Sequence, residues 1–218
     1  NTIYVSEERE YKLHKLSNCR LYTDRIHSTS AINKNILIKN ASFEIDDDYK
    51  SFSKTNSIVL KNGTPRFIKK INGSVLSLLT GGGGNENYFH WMFDVLPRIG
   101  IFNQLLKLKD LDFLLVPSYS KKFQRETLDL LDFSKKQILS SVDYRHVLPT
   151  QLYVVQHPYC INNFNEDELK IPGWISKWLK KIFLNQIKKS TKNFPPKFYI
   201  DRGESPFAKG RKIVNEDE

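Results

Sequence analysis

Cysteine, methionine and long apolar runs are scarce in this chain of 218 residues, which has two cysteines and one methionine. Cys19 and Cys160 lie far apart and form no CxxC pair, so their spacing argues against a zinc site and favours two free thiols in a reducing compartment. Because no 18 consecutive residues are apolar, the sequence predicts no membrane-spanning helix. Aromatic residues are not scarce, at 12% of the chain, and they indicate a packed core.

Positive charge exceeds negative charge, with 34 Lys and Arg against 24 Asp and Glu and a net charge of +10. The lysines are dispersed in pairs along the sequence, at 121–122, 135–136, 180–181 and 188–189. A nucleic-acid interface usually gathers its basic residues on one face together with aromatic side chains, so we predict no nucleic-acid partner. The basic surface instead favours anionic partners such as sugar nucleotides or acidic membrane lipids.

The spacing of apolar residues changes near residue 74. Short alternating runs before that point predict β-hairpins, with strands at 2–5, 35–39, 42–45, 57–60 and 66–69. The later pattern alternates strands at 74–79, 112–116, 151–155 and 197–200 with helices at 87–107, at 121–131 and from Pro172. This alternation predicts an α/β fold with a Rossmann-type parallel sheet. We predict three regions: 1–73, rich in β-hairpins; 74–194, Rossmann-like; and 195–218, the start of a further domain.

Four consecutive glycines, Gly81 to Gly84, stand between the predicted strand at 74–79 and the next helix. Such a run is costly in backbone entropy and is expected where a backbone must turn sharply or approach a ligand closely. The run lacks the Gly-Lys-Ser/Thr of a P-loop and the fixed offsets of a dinucleotide fingerprint. We interpret the loop, with Gly82, Gly83 and Gly84, as a substrate-approach segment; a mobile surface loop is the alternative.

The helix after the glycines carries one polar stripe on an otherwise apolar surface. Asn87, His90, Asp94 and Arg98 fall within roughly 80° of one another on a helical wheel. Charged groups on a helix this apolar are expected to be buried, and therefore to be paired or to face a cleft. The alternative is a satisfied core pair without catalytic function. Pro97 predicts either a kink or a second helix that begins with the proline.

Two further segments carry acidic or basic residues of interest. Asp46, Asp47 and Asp48 match the Asp-x-Asp pattern of metal-dependent sugar transferases, but three acids in a turn indicate a solvated loop, and we predict no metal site. Arg202 follows the predicted strand at 197–200, where ligand sites of α/β proteins gather, and it is a candidate for binding phosphate or carboxylate. A surface turn arginine is the alternative.

Two motifs in order resemble those of glycosyltransferase family 61. Asn-Tyr-Phe-His-Trp-Met-Phe-Asp-Val-Leu-Pro-Arg at 87–98 is similar to the family's Asn-Tyr-x-His-Trp-x-x-(Asp/Glu)-x-Leu-Pro-Arg signature. Tyr-Ile-Asp-Arg at 199–202, followed by Arg-Lys-Ile-Val-Asn-Glu at 211–216, resembles the family's second element. Asp201 stands where the family usually has serine. The resemblance covers about residues 70–218.

The resemblance implies a two-domain GT-B enzyme that transfers a sugar from a nucleotide donor with inversion, without a metal or other cofactor. It implies that this chain holds the acceptor-side domain and ends near the start of the donor domain, so we expect it to be inactive alone. His90 and Asp94 are the candidate catalytic pair, and either can be the general base. Gly82, Gly83, Gly84, Asn87 and Arg98 are assigned to acceptor binding, and Arg202 to the donor diphosphate.

The expected role is the synthesis of a bacterial cell-surface or capsular polysaccharide, with a saccharide or glycolipid acceptor. The enzyme is then expected in the cytoplasm, at the inner face of the membrane through peripheral association. A second function of another class stays open: a non-catalytic carbohydrate- or anion-binding domain in which His90 and Asp94 are structural.

Overall fold

The computed structural model describes residues 2–5, 10–44, 59, 62–80, 83–159 and 171–184. These residues belong to one compact unit, Asn1–Gln186. Gly82 and Arg202 lie outside the described residues, as do Cys160, the acidic turn at 46–48 and the predicted strand at 197–200. Predictions that rest on them stay predictions.

The ten strands of the described residues form a single mixed sheet. They are β1 (Thr2–Val5), β2 (Glu10–Ser17), β3 (Cys19–Thr23), β4 (Ser28–Asn33), β5 (Ile36–Leu37), β6 (Phe43–Glu44), β7 (Lys69–Ser77), β8 (Phe113–Val116), β9 (Ile138–Ser140) and β10 (His146–Val155). The main order is β5-β4-β3-β10-β7-β8-β9. The pairs β10–β7, β7–β8 and β8–β9 are parallel, so the α/β class with parallel strands is confirmed.

The N-terminal strands extend this sheet rather than standing apart from it. β2 and β3 both pair antiparallel with β10, and β1 pairs with β2. β10 contains Pro149, and the register with β7 shifts between Pro149 and Gln151. The shift accommodates a residue that has no N–H to donate to the ladder. The β-rich segment and the parallel strands therefore share one sheet, and the proposed region boundaries stay a prediction.

Five α-helical segments flank the strands in the described part of the chain: α1 (Gly83–Glu86), α2 (Tyr88–His90), α3 (Pro97–Leu105), α4 (Lys122–Leu130) and α5 (Gly173–Phe183). The helix predicted at 87–107 is interrupted by a π-helical segment, Trp91–Val95, between α2 and α3. There Leu96 N donates to Trp91 O over 3.0 Å, which spans five residues. Pro97 then takes the first position of α3, where its missing N–H leaves no bond unmade. A second helix does begin at Pro97.

The apolar face of this helical segment packs into the main core. Trp91, Val95, Leu96 and Ile99 are fully buried together with Leu76 and Leu114 of the sheet and with side chains of α4. α5 covers α3 from outside, with the Trp178 ring close against the Gly100 backbone. Within the described residues no helix has the length and apolarity needed to cross a membrane. The core thus holds the segment with His90 and Asp94 at a defined place over the sheet.

Candidate functional site

The candidate site lies at the carboxyl ends of β7 and β10. These strands are adjacent and parallel, so the segments that follow them meet at one edge of the sheet. The chain after β7 leads into α1 and α2, and the chain after β10 carries His157 and Tyr159. In the sheet, β8 and β9 follow β7 on one side, whereas β10 lies on the other side of β7. The strand order therefore reverses between β7 and β10, which makes this edge a topological switch point. Open α/β sheets bind ligands in the crevice at such points.

His90 and Asp94 form a direct pair across the π-helical turn. His90 Nδ1 lies 2.7 Å from Asp94 Oδ2. The His90 side chain keeps 38% of its surface accessible, whereas that of Asp94 keeps 6%. The apolar surface of the helix predicted that His90 is buried, but its side chain is partly exposed. The hydrogen bond to Asp94 raises the pKa of His90, and burial opposes this shift without reversing it.

Three side chains surround the Asp94 carboxylate. Its Oδ1 accepts a hydrogen bond from the Tyr159 hydroxyl. Its Oδ2 faces His90 and lies 3.8 Å from His157 Nε2. Burial alone would raise the pKa of Asp94, but interactions with His157, His90 and Tyr159 outweigh it and hold the pKa well below its usual range. The carboxylate therefore stays charged, and both of its oxygens already have partners. It is suited to orienting His90 rather than to accepting a proton.

His157 and Tyr159 are site residues that the sequence argument missed. His157 Nδ1 donates to the Tyr159 carbonyl over 2.7 Å, and burial lowers the pKa of His157. Burial, with the charge of Asp94 next, raises the pKa of Tyr159, so its hydroxyl keeps its proton. The signal was present: both residues directly follow a predicted parallel strand, which is the placement that singled out Arg202.

Hydrogen bonds that involve β2 and α5 hold the segment that carries His157 and Tyr159. Tyr11 of β2 donates its hydroxyl to Pro158 O over 2.8 Å, and Trp174 Nε1 donates to that hydroxyl over 2.7 Å. Phe43 stacks on the His157 ring, with centroids 5.8 Å apart. The partners of Asp94 are thereby fixed by elements distant in sequence.

Arg98 lies beneath the loop after β7 and is 3% exposed. Its Nη1 donates to Leu79 O over 2.6 Å, while its buried Nε has no hydrogen-bond partner within the described part of the chain. Burial lowers the pKa of Arg98 to about 10, with the charge of Asp94 opposing the shift, so the guanidinium stays charged near neutral pH. The negative charge of Asp94, one helical turn earlier, favours the charged form of this guanidinium.

The glycines that the structure describes form the start of α1 rather than an open loop. A Cβ on Gly83 would stand 2.7 Å from His90 Cδ2 and 3.0 Å from Nε2. A Cβ on Gly84 would collide with the Thr80 hydroxyl and press on Val95 and Pro117. A β-carbon at either position would force the neighbouring side chain to shift, because the backbone approaches it too closely for a methyl group. Gly83 thus sets the space in which the His90 ring sits.

We expect Gly83→Ala to lower kcat/KM by about 10–100-fold, because the added methyl displaces the His90 ring from Asp94. The pKa of His90, measured by NMR titration, should fall toward its ordinary value in the same variant. Gly84→Ala serves as the comparison, since its methyl meets Thr80 and not His90. A Gly83→Ala variant with unchanged activity and unchanged His90 titration would contradict this account.

Asn87 caps the first helical turn of the site segment. Its side-chain oxygen accepts hydrogen bonds from Phe89 N at 2.9 Å and from His90 N at 3.3 Å. The side chain therefore orients the start of α2, as N-cap residues do. Its predicted contact with the acceptor stays a prediction, as do those of Gly83, Gly84 and Arg98. Among the described residues, no three His, Cys, Asp or Glu side chains are arranged to hold a metal ion.

The family model for glycosyltransferase 61 matches residues 88–218, which is more than half of the chain. The matched span contains His90, Asp94, Arg98, His157 and Tyr159, and it begins just after the two described glycines. No curated protein and no solved structure matches the chain. The extent of the match, on a segment that the structure folds into a paired His–Asp site, shows that this chain belongs to glycosyltransferase family 61.

Proposed function

We propose that this protein is an inverting glycosyltransferase in which His90 is the general base and Asp94 orients it. Family membership supports sugar transfer in general, and the 2.7 Å pair between His90 Nδ1 and Asp94 Oδ2 carries the proposal. His90 Nδ1–H donates to the Asp94 carboxylate, which leaves the Nε2 lone pair to accept a proton. An imidazole with a raised pKa and a partly accessible ring has the properties of a base near neutral pH.

The reaction step follows from this assignment. His90 Nε2 takes the proton of an acceptor hydroxyl while that oxygen attacks the anomeric carbon of the donor. The bond between that carbon and the diphosphate oxygen breaks on the opposite face, so the configuration inverts and the nucleoside diphosphate leaves. The imidazolium that forms is stabilised by the Asp94 carboxylate, as in other His–carboxylate pairs. The same proton is then lost to solvent.

The finer points of the proposal concern groups outside the described residues. We place Arg202 at the donor diphosphate, because a guanidinium suits bidentate binding of phosphate. The donor is a nucleotide sugar held by the second domain of a GT-B fold, and no metal takes part. The acceptor is a bacterial cell-surface or capsular polysaccharide or its glycolipid precursor, met at the cytoplasmic face of the membrane by a peripherally bound enzyme. The net charge of +10 supports the anionic donor and the acidic membrane surface.

The stereochemistry of transfer tests this proposal directly. The full-length protein is incubated with a panel of nucleotide sugars and simple glycoside acceptors, and the anomeric configuration of the new bond is read by NMR. We expect the configuration to be opposite to that of the donor, because a base without a sugar-bound intermediate permits only one displacement. Retention would overturn the mechanism. Binding of saccharides without transfer from any donor would favour the non-catalytic binding domain.

A further inference from the structure

An aromatic stripe runs beside the polar stripe on the same helical segment. Phe89 precedes His90 and Phe93 precedes Asp94, so the pair Phe89–Phe93 is offset by one residue from the pair His90–Asp94. The Phe89 and Phe93 rings are stacked, with centroids 5.0 Å apart and planes 27° apart. The Phe89 ring also meets the His90 ring edge-on at 5.5 Å. A phenylalanine therefore directly flanks the proposed base.

Phe89 is exposed although it is anchored. Its accessible fraction is 43%, the value expected of a surface residue rather than a core phenylalanine. Phe93 behind it packs against the buried cluster of Tyr159, Ile175 and Leu179, and Tyr159 is the residue that binds Asp94. The exposed ring is thus held on a fixed support and has lost most of its freedom before any ligand arrives, which lowers the entropic cost of binding.

We propose that Phe89 is the stacking wall of the acceptor subsite, against which the sugar ring that carries the attacking hydroxyl lies. This inference rests on the proposed function, since it takes the hydroxyl to be delivered to His90 Nε2. A sugar ring presents apolar C–H groups on one face and hydroxyl groups at its rim. An aromatic ring beside a polar base matches both, as in ligand sites where apolar walls surround a few orienting polar groups.

The neighbouring aromatic side chain does not have the same placement. Tyr88 is 58% exposed, but its ring packs edge-on against Phe123 of α4 at 5.2 Å and is directed to that helix. Phe89 is the ring that contacts both Phe93 and His90. We therefore assign the acceptor sugar to Phe89, and not the base of the donor nucleotide. The attacking hydroxyl of the acceptor must reach His90, and the Phe89 ring is next to the His90 ring.

Binding and kinetics of Phe89 variants test the assignment. Saturation-transfer NMR on the full-length protein uses methyl glycosides of common hexoses and pentoses as probes, with uridine diphosphate as a separate probe. Phe89→Ala should reduce the saturation of the glycoside ring protons and raise the acceptor KM about tenfold, because the stacked apolar face is lost. kcat and the donor KM should change less than about threefold. Phe89→Trp should keep glycoside binding.

Phe67→Ala is the matched control, since Phe67 is 76% exposed and precedes the amino end of β7, at the opposite end of that strand from the site. Binding of the glycosides and of uridine diphosphate should be unchanged in this control. Weaker binding of uridine diphosphate in Phe89→Ala would assign the ring to the donor and overturn the proposal, as would glycoside binding that is absent in the wild type or unaltered in Phe89→Ala. His90→Ala separates the proposed base from the proposed stacking wall. If this variant binds glycosides but does not transfer sugar, both proposals are supported. If it still transfers sugar, His90 is not the base, and the assignment of Phe89 is judged from the Phe89 variants alone.

Discussion

His90→Ala is expected to lower kcat by about 10²–10⁴-fold, the range that loss of a positioned general base produces. The acceptor hydroxyl would then have to lose its proton to water while the new bond forms, and no other described side chain offers an accessible imidazole at this place. The substitution should not unfold the protein, because the His90 side chain is 38% exposed. The measurement is single-turnover transfer with the nucleotide sugar found in the donor panel, together with Tm.

His27→Ala provides the control for this result. His27 faces Asp24 at 3.9 Å in the turn between β3 and β4, so it is a second His–Asp pair, three residues apart in sequence. We expect its activity to match the wild type. If His90→Ala kept activity within about threefold of the wild type with an unchanged Tm, the pair of His90 and Asp94 would be structural, and the alternative of a satisfied core pair would be correct.

The fold could be predicted where apolar periodicity was strong and local. The strand at 112–116, the helix at 121–131 and the helix after Pro172 are found as β8, α4 and α5, with ends shifted by one or two residues. Each is a short apolar run or a stripe with clear boundaries. The predicted start of β7 at 74 was wrong, since the strand begins at Lys69 and includes polar residues that the sheet tolerates at its partly exposed end.

Among the N-terminal strands, those predicted at 2–5, 35–39 and 42–45 are found as β1, β5 and β6, whereas the three longer strands between β1 and β5 were missed. β2, β3 and β4 were not predicted, because His14, Thr29 and Ser30 interrupt their apolar pattern and are nevertheless buried in the sheet. β10 was predicted only from Gln151, since Pro149 argues against a central strand. The register shift that admits this proline depends on β7, 77 or more residues away in sequence, and is invisible in a local window.

The candidate site was predicted as far as one helix could show it. Asn87, His90 and Asp94 share a helical face, and the pair between His90 and Asp94 is found. The sequence could not indicate that the turn between them is π-helical. That turn depends on the hydrogen bond from Leu96 N to Trp91 O, five residues earlier, which no side-chain pattern shows. Nor could it bring Tyr159 to Asp94 across 65 residues, which requires the parallel pairing of β7 and β10.

Asp94→Asn is expected to change both the rate and its pH dependence. Activity in the wild type requires neutral His90, so kcat/KM should rise with pH through a pKa above the ordinary value of 6.5, since the bond to Asp94 raises it. With the amide, that stabilisation of the imidazolium is lost and burial, which lowers the pKa of His90, dominates. The acidic limb should therefore move to lower pH, while the plateau falls roughly 10²–10⁴-fold because the ring is no longer oriented.

Tyr159→Phe is the comparison that separates charge from packing in this experiment. It removes one hydrogen bond to Asp94 but leaves the carboxylate and its contact with His90 in place. We expect its acidic limb to stay above 6.5, with a rate loss below about tenfold. The pH profiles of the two variants, with Tm as a check on folding, then decide the role of Asp94. An acidic limb that is unchanged in Asp94→Asn would show that His90 is not the group whose titration limits the rate, and the assignment of His90 as the base would be wrong.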